Sequence, residues 1–302
     1  MAGSSKKAIF GAITANSAIA ICKFIASYFT GSASMLSEGI HSLVDTGNGV
    51  LLLVGIKRSQ KSPNIRHPYG YGKEIYFWSF VVAILIFALG GGIALYEGIL
   101  HIQHPKEISS YQWNYIVLSL AIIFEGFALR VALKEFNKSR GNQGYIESIK
   151  RSKDSATVAI VIEDTAALLG LLIALLALVL GQVTGIPYFD GLGSICIGLL
   201  LVSVSFFFAY ECKGLLIGEG LSVEEIDEVE SIIKQYESVV QSRTPLSMYF
   251  GPGEVLLNVD LQFKDELNTD QIEENIDQIE QEIRNRFPKI NRIYIEADEI
   301  KS

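Results

Sequence analysis

Long apolar runs separated by short polar loops fill the first two-thirds of the sequence. A helix needs about 20 predominantly apolar residues to cross a lipid bilayer. Runs of this kind occur at residues 8–29, 34–56, 77–99, 113–134, 156–180 and 189–211. Because backbone polar groups in lipid must bond within their own segment, we predict six transmembrane helices.

Lysine and arginine are concentrated in alternate loops between these runs. The loops after the second and fourth runs contain Lys57, Arg58, Lys61, Arg66, Lys73, Lys138, Arg140, Lys150, Arg151 and Lys153. The loops on the opposite side contain only Lys106. Since basic loops stay on the cytoplasmic side, both chain termini are predicted to be cytoplasmic. No targeting presequence is visible, which favours a bacterial inner membrane.

After residue 215 the pattern becomes that of a small soluble domain. Helical and strand-like segments follow one another in the order helix, strand, strand, helix, strand, at residues 223–236, 239–250, 254–263, 269–287 and 292–296. We predict a membrane domain over residues 1–215 and a two-layer αββαβ, ferredoxin-like domain over residues 216–302. Residues 222–302 contain 8 basic and 19 acidic side chains, which argues against nucleic acid as a partner.

Polar residues recur along one face of the second run, at Glu38, His41, Asp45 and Asn48. Their spacing of three and four places them on one side of a helix. Ionisable groups in lipid are costly and mark ion paths by default, and imidazole with carboxylate suits zinc. We therefore predict that His41 and Asp45 bind a metal. A polar stripe that joins helices, or a helix cap in the case of Glu38, is the alternative.

Glu163 and Asp164 lie in the fifth run at a similar depth. Adjacent residues of a helix point about 100° apart, so the two carboxylates cannot face one site equally. One of them is expected to complete a site with the His–Asp pair of the second run. The fourth ligand is then the other carboxylate, Asn48, Glu38 or water.

Two further charges lie within the runs. Lys23 in the first run either snorkels to the surface or pairs with a carboxylate. Glu125 in the fourth run is interpreted as structural rather than as a ligand.

Three motifs make the chain resemble the cation diffusion facilitator family. Residues 38–45, EGIHSLVD, are similar to the second-helix motif H-x-x-x-D or D-x-x-x-D. Residues 67–73, HPYGYGK, resemble the signature H-P-[FY]-G-[HY]-G-[KR], and residues 189–191, FDG, resemble the start of the sixth helix. The resemblance covers nearly the whole chain. It implies six membrane helices, cytoplasmic termini and a metallochaperone-like C-terminal domain that serves dimerisation.

By this resemblance, the transported metal is bound by His41 and Asp45 of the second helix and by Asp164 of the fifth, with Glu163 beside it. The family's fifth helix usually repeats the H-x-x-x-D or D-x-x-x-D pattern, but Ile160 stands four residues before Asp164. The Glu-Asp arrangement resembles the mitochondrial-type zinc transporter branch. A site with one imidazole and more oxygen ligands suits harder metal ions, so manganese and iron are alternatives to zinc.

Two other metal sites of the family are depleted in this sequence. Of the ligands around the loop after the second helix, only His67 is present, with Asn64 and Tyr71 at the other positions. We expect that site to be weak or absent. Residues 213–302 contain no His or Cys, so the family's His-rich site in the tail cannot form as such.

The function implied is proton-coupled efflux of a divalent metal, with zinc as the first choice, by alternating access in a homodimer within the lipid bilayer. The metal is cargo, and neither a resident cofactor nor an enzymatic activity is expected. A membrane protein that assembles partners without transport is the alternative from another class. An intramembrane metallohydrolase is disfavoured because no H-E-x-x-H or comparable pair is present.

Overall fold

The computed structural model describes residues 2–105, 111–140 and 144–300. Lys106, the basic residue predicted for an outer loop, lies outside the described residues. The chain forms two compact units. The first consists of Met1–Lys57 and Ile75–Lys213, and the second of Arg58–Glu74 and Gly214–Ser302. The grouping of Arg58–Glu74, the loop after the second run, with the C-terminal residues was not predicted from the sequence.

Helices account for the regular structure of the first unit. They are α1 (Ala2–Thr30), α2 (Ala33–Ser59), α3 (Glu74–Leu85), a π-helical turn (Ile86–Gly91), α4 (Gly92–Gln103), α5 (Tyr111–Arg140), α6 (Tyr145–Arg151), α7 (Ser155–Thr184) and α8 (Tyr188–Ile217). Within the described ranges, five helices are long and apolar enough to cross a membrane: Ala33–Ser59, Glu74–Gln103, Tyr111–Lys138, Ser155–Thr184 and Tyr188–Ile217. These contain five of the six predicted runs. The first run, residues 8–29, lies in α1, and its crossing of the membrane stays a prediction.

The second unit contains a mixed sheet with two helices. Its elements are α9 (Val223–Ile233), β1 (Val239–Ser242), β2 (Leu246–Gly251), β3 (Glu254–Phe263), α10 (Thr269–Arg286) and β4 (Ile290–Ala297). Strand β3 is antiparallel to β1 and β2 and parallel to β4. The predicted order αββαβ was wrong in one respect, because the strand expected at residues 239–250 is two strands. Pro245 lies between them and cannot donate a ladder hydrogen bond.

The core of this unit is built by alternation in β3 and by the apolar faces of α9 and α10. Every second residue of β3 is buried, from Val255 to Phe263. Both helices begin with a capping box, formed by Ser222 with Glu225 and by Asn268 with Gln271. These side chains satisfy amide groups that the first helical turn leaves without partners. Asn268 is therefore the N-cap of α10.

The loop Arg58–Glu74 packs on the sheet through its signature residues. The Tyr69 ring stacks on Phe250 with ring centroids 5.0 Å apart, and Arg292 lies 5.3 Å from the Tyr69 ring centroid. Lys73 Nζ lies 5.3 Å from the Phe250 ring centroid and 3.5 Å from Met248 Sδ. Burial lowers the pKa of the Lys73 ammonium. Tyr69 and Lys73 of the motif HPYGYGK thus hold the loop against the sheet.

Alanine at Gly72 is expected to lower the free energy of unfolding by about 1–3 kcal/mol, the usual cost of overpacking. A Cβ atom there would lie 2.2 Å from the Phe250 carbonyl oxygen, so the loop would have to move off the sheet. Thermal unfolding in detergent measures the effect. Gly253→Ala is the matched control, because a Cβ atom at Gly253 meets nothing within 4 Å. Equal stability of both variants would contradict this packing role.

Candidate metal centre

Helix α2 buries a continuous polar stripe in the first unit. Its members, each at most 8 % exposed, are Glu38, His41, Ser42, Asp45 and Asn48. The stripe follows from the helical repeat, since residues three and four apart share a face. His41 Nδ1 lies 3.3 Å from Asp45 Oδ1, one helical turn further along. The two predicted ligands of α2 are therefore neighbours on one buried face.

Helix α7 contributes the predicted carboxylates of the fifth run. The Asp154 side chain caps its first turn by accepting from Thr157 N at 3.2 Å. Glu163 is buried, and its Oε1 accepts from Asn48 Nδ2 at 2.8 Å, which joins α7 to the stripe of α2. Asp164 is partly buried, and the charges of both carboxylates act on Asp45. Residues of the second and fifth runs thus meet in one polar region.

Several polar atoms of this region are buried with no hydrogen-bond partner. They are Glu38 Oε1, His41 Nδ1, His41 Nε2, Asp45 Oδ1, Asn48 Oδ1 and Glu125 Oε1. Buried polar atoms in proteins are nearly always bonded, and a cluster without partners points to a functional role or to an ion. The unpaired atoms include imidazole nitrogens and carboxylate oxygens, the donors that zinc and related metals bind.

The side chains are not gathered into a complete metal shell in this conformation. Within the described ranges, no three His, Cys, Asp or Glu side chains are grouped closely enough to hold an ion. His67, the one ligand present at the loop site, belongs to the second unit and is exposed. Its ring lies 4.4 Å from that of Tyr71, and its backbone exchanges two hydrogen bonds with that of Asn64. The structure therefore brings together the His–Asp pair of α2 and the carboxylates of α7. His67 instead contacts residues of its own loop.

Lys23 of α1 pairs with a carboxylate rather than snorkelling to the surface. Its Nζ lies 3.1 Å from Glu38 Oε2 and 2.8 Å from Ser42 Oγ, and both charged side chains are fully buried. Glu125 of α5, interpreted as structural, also acts on Asp45 and Asp164 through its charge. Its Oε1 is buried without a hydrogen-bond partner. The sequence signal that could have indicated a functional role for Glu125 is the rarity of charged residues in membrane helices.

Asp190, at the start of α8, fixes the beginning of α2. Its carboxylate accepts hydrogen bonds from Ser32 Oγ and from the backbone amides of Ala33 and Ser34. A carboxylate is favourable there because a helix N-terminus carries partial positive charge. His101 Nδ1 of α4 lies 3.7 Å from the same carboxylate. Three membrane helices therefore meet at Asp190, on the N-terminal side of the polar stripe of α2.

Alanine at Asp190 is expected to lower the free energy of unfolding by about 1–3 kcal/mol, because three buried donors lose their acceptor. Asp190→Asn keeps one acceptor oxygen and should retain part of this stability. Thermal unfolding of both variants in detergent gives the comparison. Wild-type stability of Asp190→Ala would show that the cap contributes little.

A family model described as the cation efflux transmembrane domain matches residues 9–217. The chain is 35% identical over 282 residues to "Proton-coupled zinc antiporter SLC30A9, mitochondrial" of Mus musculus, covering 92% of this chain and 50% of the mouse protein. It is 30% identical over 266 residues to "Metal tolerance protein C4" of Arabidopsis thaliana, covering 87% of this chain and 58% of that protein.

A bacterial relative aligns over most of its own length. The "Cation-efflux pump FieF" of Escherichia coli is 25% identical over 283 residues, covering 93% of this chain and 89% of the pump. By contrast, the chain spans about half the length of the mouse antiporter. The match over residues 9–217, together with the membrane-length helices, makes the chain a multi-pass membrane protein. It belongs to the cation diffusion facilitator family, as its motifs predicted.

Proposed function

We propose that this protein exports a divalent transition metal, zinc in the first place, in exchange for protons. The observation that carries the proposal is the buried His41–Asp45 pair beside Glu163 and Asp164, within a membrane domain of the cation efflux family. The names of three relatives, a proton-coupled zinc antiporter, a metal tolerance protein and a cation-efflux pump, support the same activity. The metal is cargo, with no resident cofactor and no enzymatic step.

The proposed transport site consists of His41, Asp45 and Asp164. Glu163 is a weaker candidate because Asn48 already donates to its Oε1. Asn48 Oδ1, which has no partner, or water supplies the remaining ligand. Metal ligands must be deprotonated, so metal binding releases protons and proton binding releases metal. This competition at one site gives antiport when the helices open the site to each side in turn.

Six membrane helices and cytoplasmic termini complete the proposal. Helix α1, with 29 residues, supplies the first span. A stripe of exposed apolar residues on α5 supports contact with lipid: Trp113, Ile116, Leu120, Ile123 and Phe127. A bacterial inner membrane stays a prediction, and the mouse relative bears a mitochondrial name. The family resemblance further favours a homodimer joined by the C-terminal domain, which mass photometry in detergent can test.

Metal flux into proteoliposomes under an imposed pH gradient tests the activity. We expect zinc uptake that depends on the gradient and stops when an ionophore collapses it. Uptake of manganese or iron in place of zinc would keep the mechanism and change the cargo. A folded protein that moves none of these metals would support the rival function, assembly of membrane partners without transport.

A further inference from the structure

Lys23 places a positive charge among the acidic groups of the membrane domain. Its side chain is fully buried, and its ammonium group donates to Glu38 Oε2 and Ser42 Oγ. A buried charge is tolerated only when it is paired and hydrogen-bonded. Here the pair joins two predicted membrane spans, in which unpaired charges are costly.

The ion pair adjoins the proposed metal ligands. Glu38 lies one helical turn before His41 on the same face of α2, and Ser42 follows His41 directly. The charge of Lys23 acts on both His41 and Asp45. The ion pair thus borders the His–Asp pair along α2.

Glu38 also reaches across to α7, the helix that carries Asp164. A Cβ atom on Gly170 would lie 2.4 Å from Glu38 Oε1, so the absence of a side chain at Gly170 admits this carboxylate between the helices. Oε1 has no hydrogen-bond partner. A carboxylate in this position has a free oxygen and lies close to the ligand set, yet it is held by an ammonium group.

We propose that Lys23 determines metal specificity by holding Glu38 out of the ligand shell of the transported ion. The inference rests on the proposed transport function. While Glu38 Oε2 is bonded to Lys23 Nζ, any approach of the free Oε1 to the ion also brings the ammonium group toward it, and an ammonium group repels a divalent cation at short range. With Glu38 held, the site keeps one imidazole and few carboxylates. With Glu38 released, it gains an oxygen ligand and becomes better suited to manganese.

Lys23→Met, Glu38→Gln and the double variant Lys23→Met/Glu38→Gln test this arrangement. The measurement is competitive uptake of zinc and manganese into proteoliposomes, with thermal unfolding in detergent as the check on folding. Lys23→Met should shift the zinc-to-manganese uptake ratio about tenfold toward manganese, because a freed carboxylate joins the site. Glu38→Gln should reduce zinc uptake about tenfold or more, because a lone ammonium remains beside the site. The double variant should recover wild-type preference and most of the uptake.

The double variant separates this proposal from the alternative in which Glu38 is itself a ligand. If Glu38 binds the ion, the double variant stays as impaired as Glu38→Gln, and the proposal is overturned. A folded Lys23→Met variant with the wild-type uptake ratio overturns it as well. If Lys23→Met does not fold, the comparison of Glu38→Gln with the double variant decides alone.

Lys213→Met is the matched control, since Lys213 is exposed at the end of α8 and should not affect the ratio. Uptake of neither metal by the unaltered protein would instead overturn the proposed transport function. That result is distinct from an unaltered protein that transports while its Lys23 variants behave like the wild type.

Discussion

Alanine in place of His41 or Asp45 is expected to reduce zinc transport by more than about 100-fold, beyond the loss typical of residues that only support metal ligands. The two side chains form the buried pair on α2, with Nδ1 and Oδ1 3.3 Å apart. Neither imidazole nitrogen of His41 has a hydrogen-bond partner, so no hydrogen bond within the fold explains their burial. Uptake of zinc by proteoliposomes containing each variant is the measurement.

Folding of these variants is expected to persist, because the two His41 nitrogens and Asp45 Oδ1 satisfy no hydrogen bond. Thermal unfolding in detergent should therefore change little while transport is lost. His104→Ala is the matched control, since His104 is exposed at the end of α4 and transport should be unaffected. Wild-type uptake by both His41→Ala and Asp45→Ala would refute the assignment of these residues.

Asparagine at Asp164 is expected to reduce zinc transport about 100-fold, and more severely than glutamine at Glu163. Both substitutions remove one negative charge of α7 and keep the shape of the side chain. The difference arises because Glu163 is already engaged by the amide of Asn48, whereas Asp164 is the family-motif position. Losing a charged ligand typically weakens metal binding by at least 10–100-fold.

Zinc-dependent uptake rates measured over a range of zinc concentrations separate the two variants. Asp164→Asn should raise the zinc concentration needed for half-maximal uptake, since the ligand itself is weakened. Glu163→Gln should keep most of the uptake, because its amide can still bond to Asn48. A more severe loss in Glu163→Gln would exchange the roles of the two residues.

The five helices of membrane length were predictable because burial in lipid imposes a length and a composition that the sequence displays directly. Strand β3 was predictable for a similar reason, since its alternation extends over ten residues without interruption. The preceding strand was not, because Pro245 divides it while the apolar pattern continues on both sides. The pattern reports which side of a strand is buried, but not every break in its hydrogen bonds.

The partners of the candidate site were less predictable than its members. Helical spacing places His41 and Asp45 on one face, and that geometry is local. The pairing of Lys23 with Glu38 and the contact of Asn48 with Glu163 depend on how separate helices pack. For that reason the sequence left Glu38 open as ligand or cap, whereas the structure shows it bonded to an ammonium group.

The association of the HPYGYGK loop with the sheet is equally non-local. Residues 67–73 alone do not indicate that Phe250 and Arg292 are the partners of Tyr69, although aromatic and basic residues are suited to such contacts. The resemblance to the family marked the loop as important without giving this reason. Its glycine at position 72 acquires a physical explanation only from the carbonyl group that it approaches.

X-ray absorption at the zinc K-edge tests most directly the claim that His41, Asp45 and Asp164 bind the transported metal. The protein, loaded with one zinc ion in detergent, should show only nitrogen and oxygen neighbours at about 2.0–2.2 Å. One imidazole should contribute, and its signal should disappear in His41→Ala. Sulfur neighbours at about 2.3 Å, or a spectrum unchanged by His41→Ala, would contradict the proposed site.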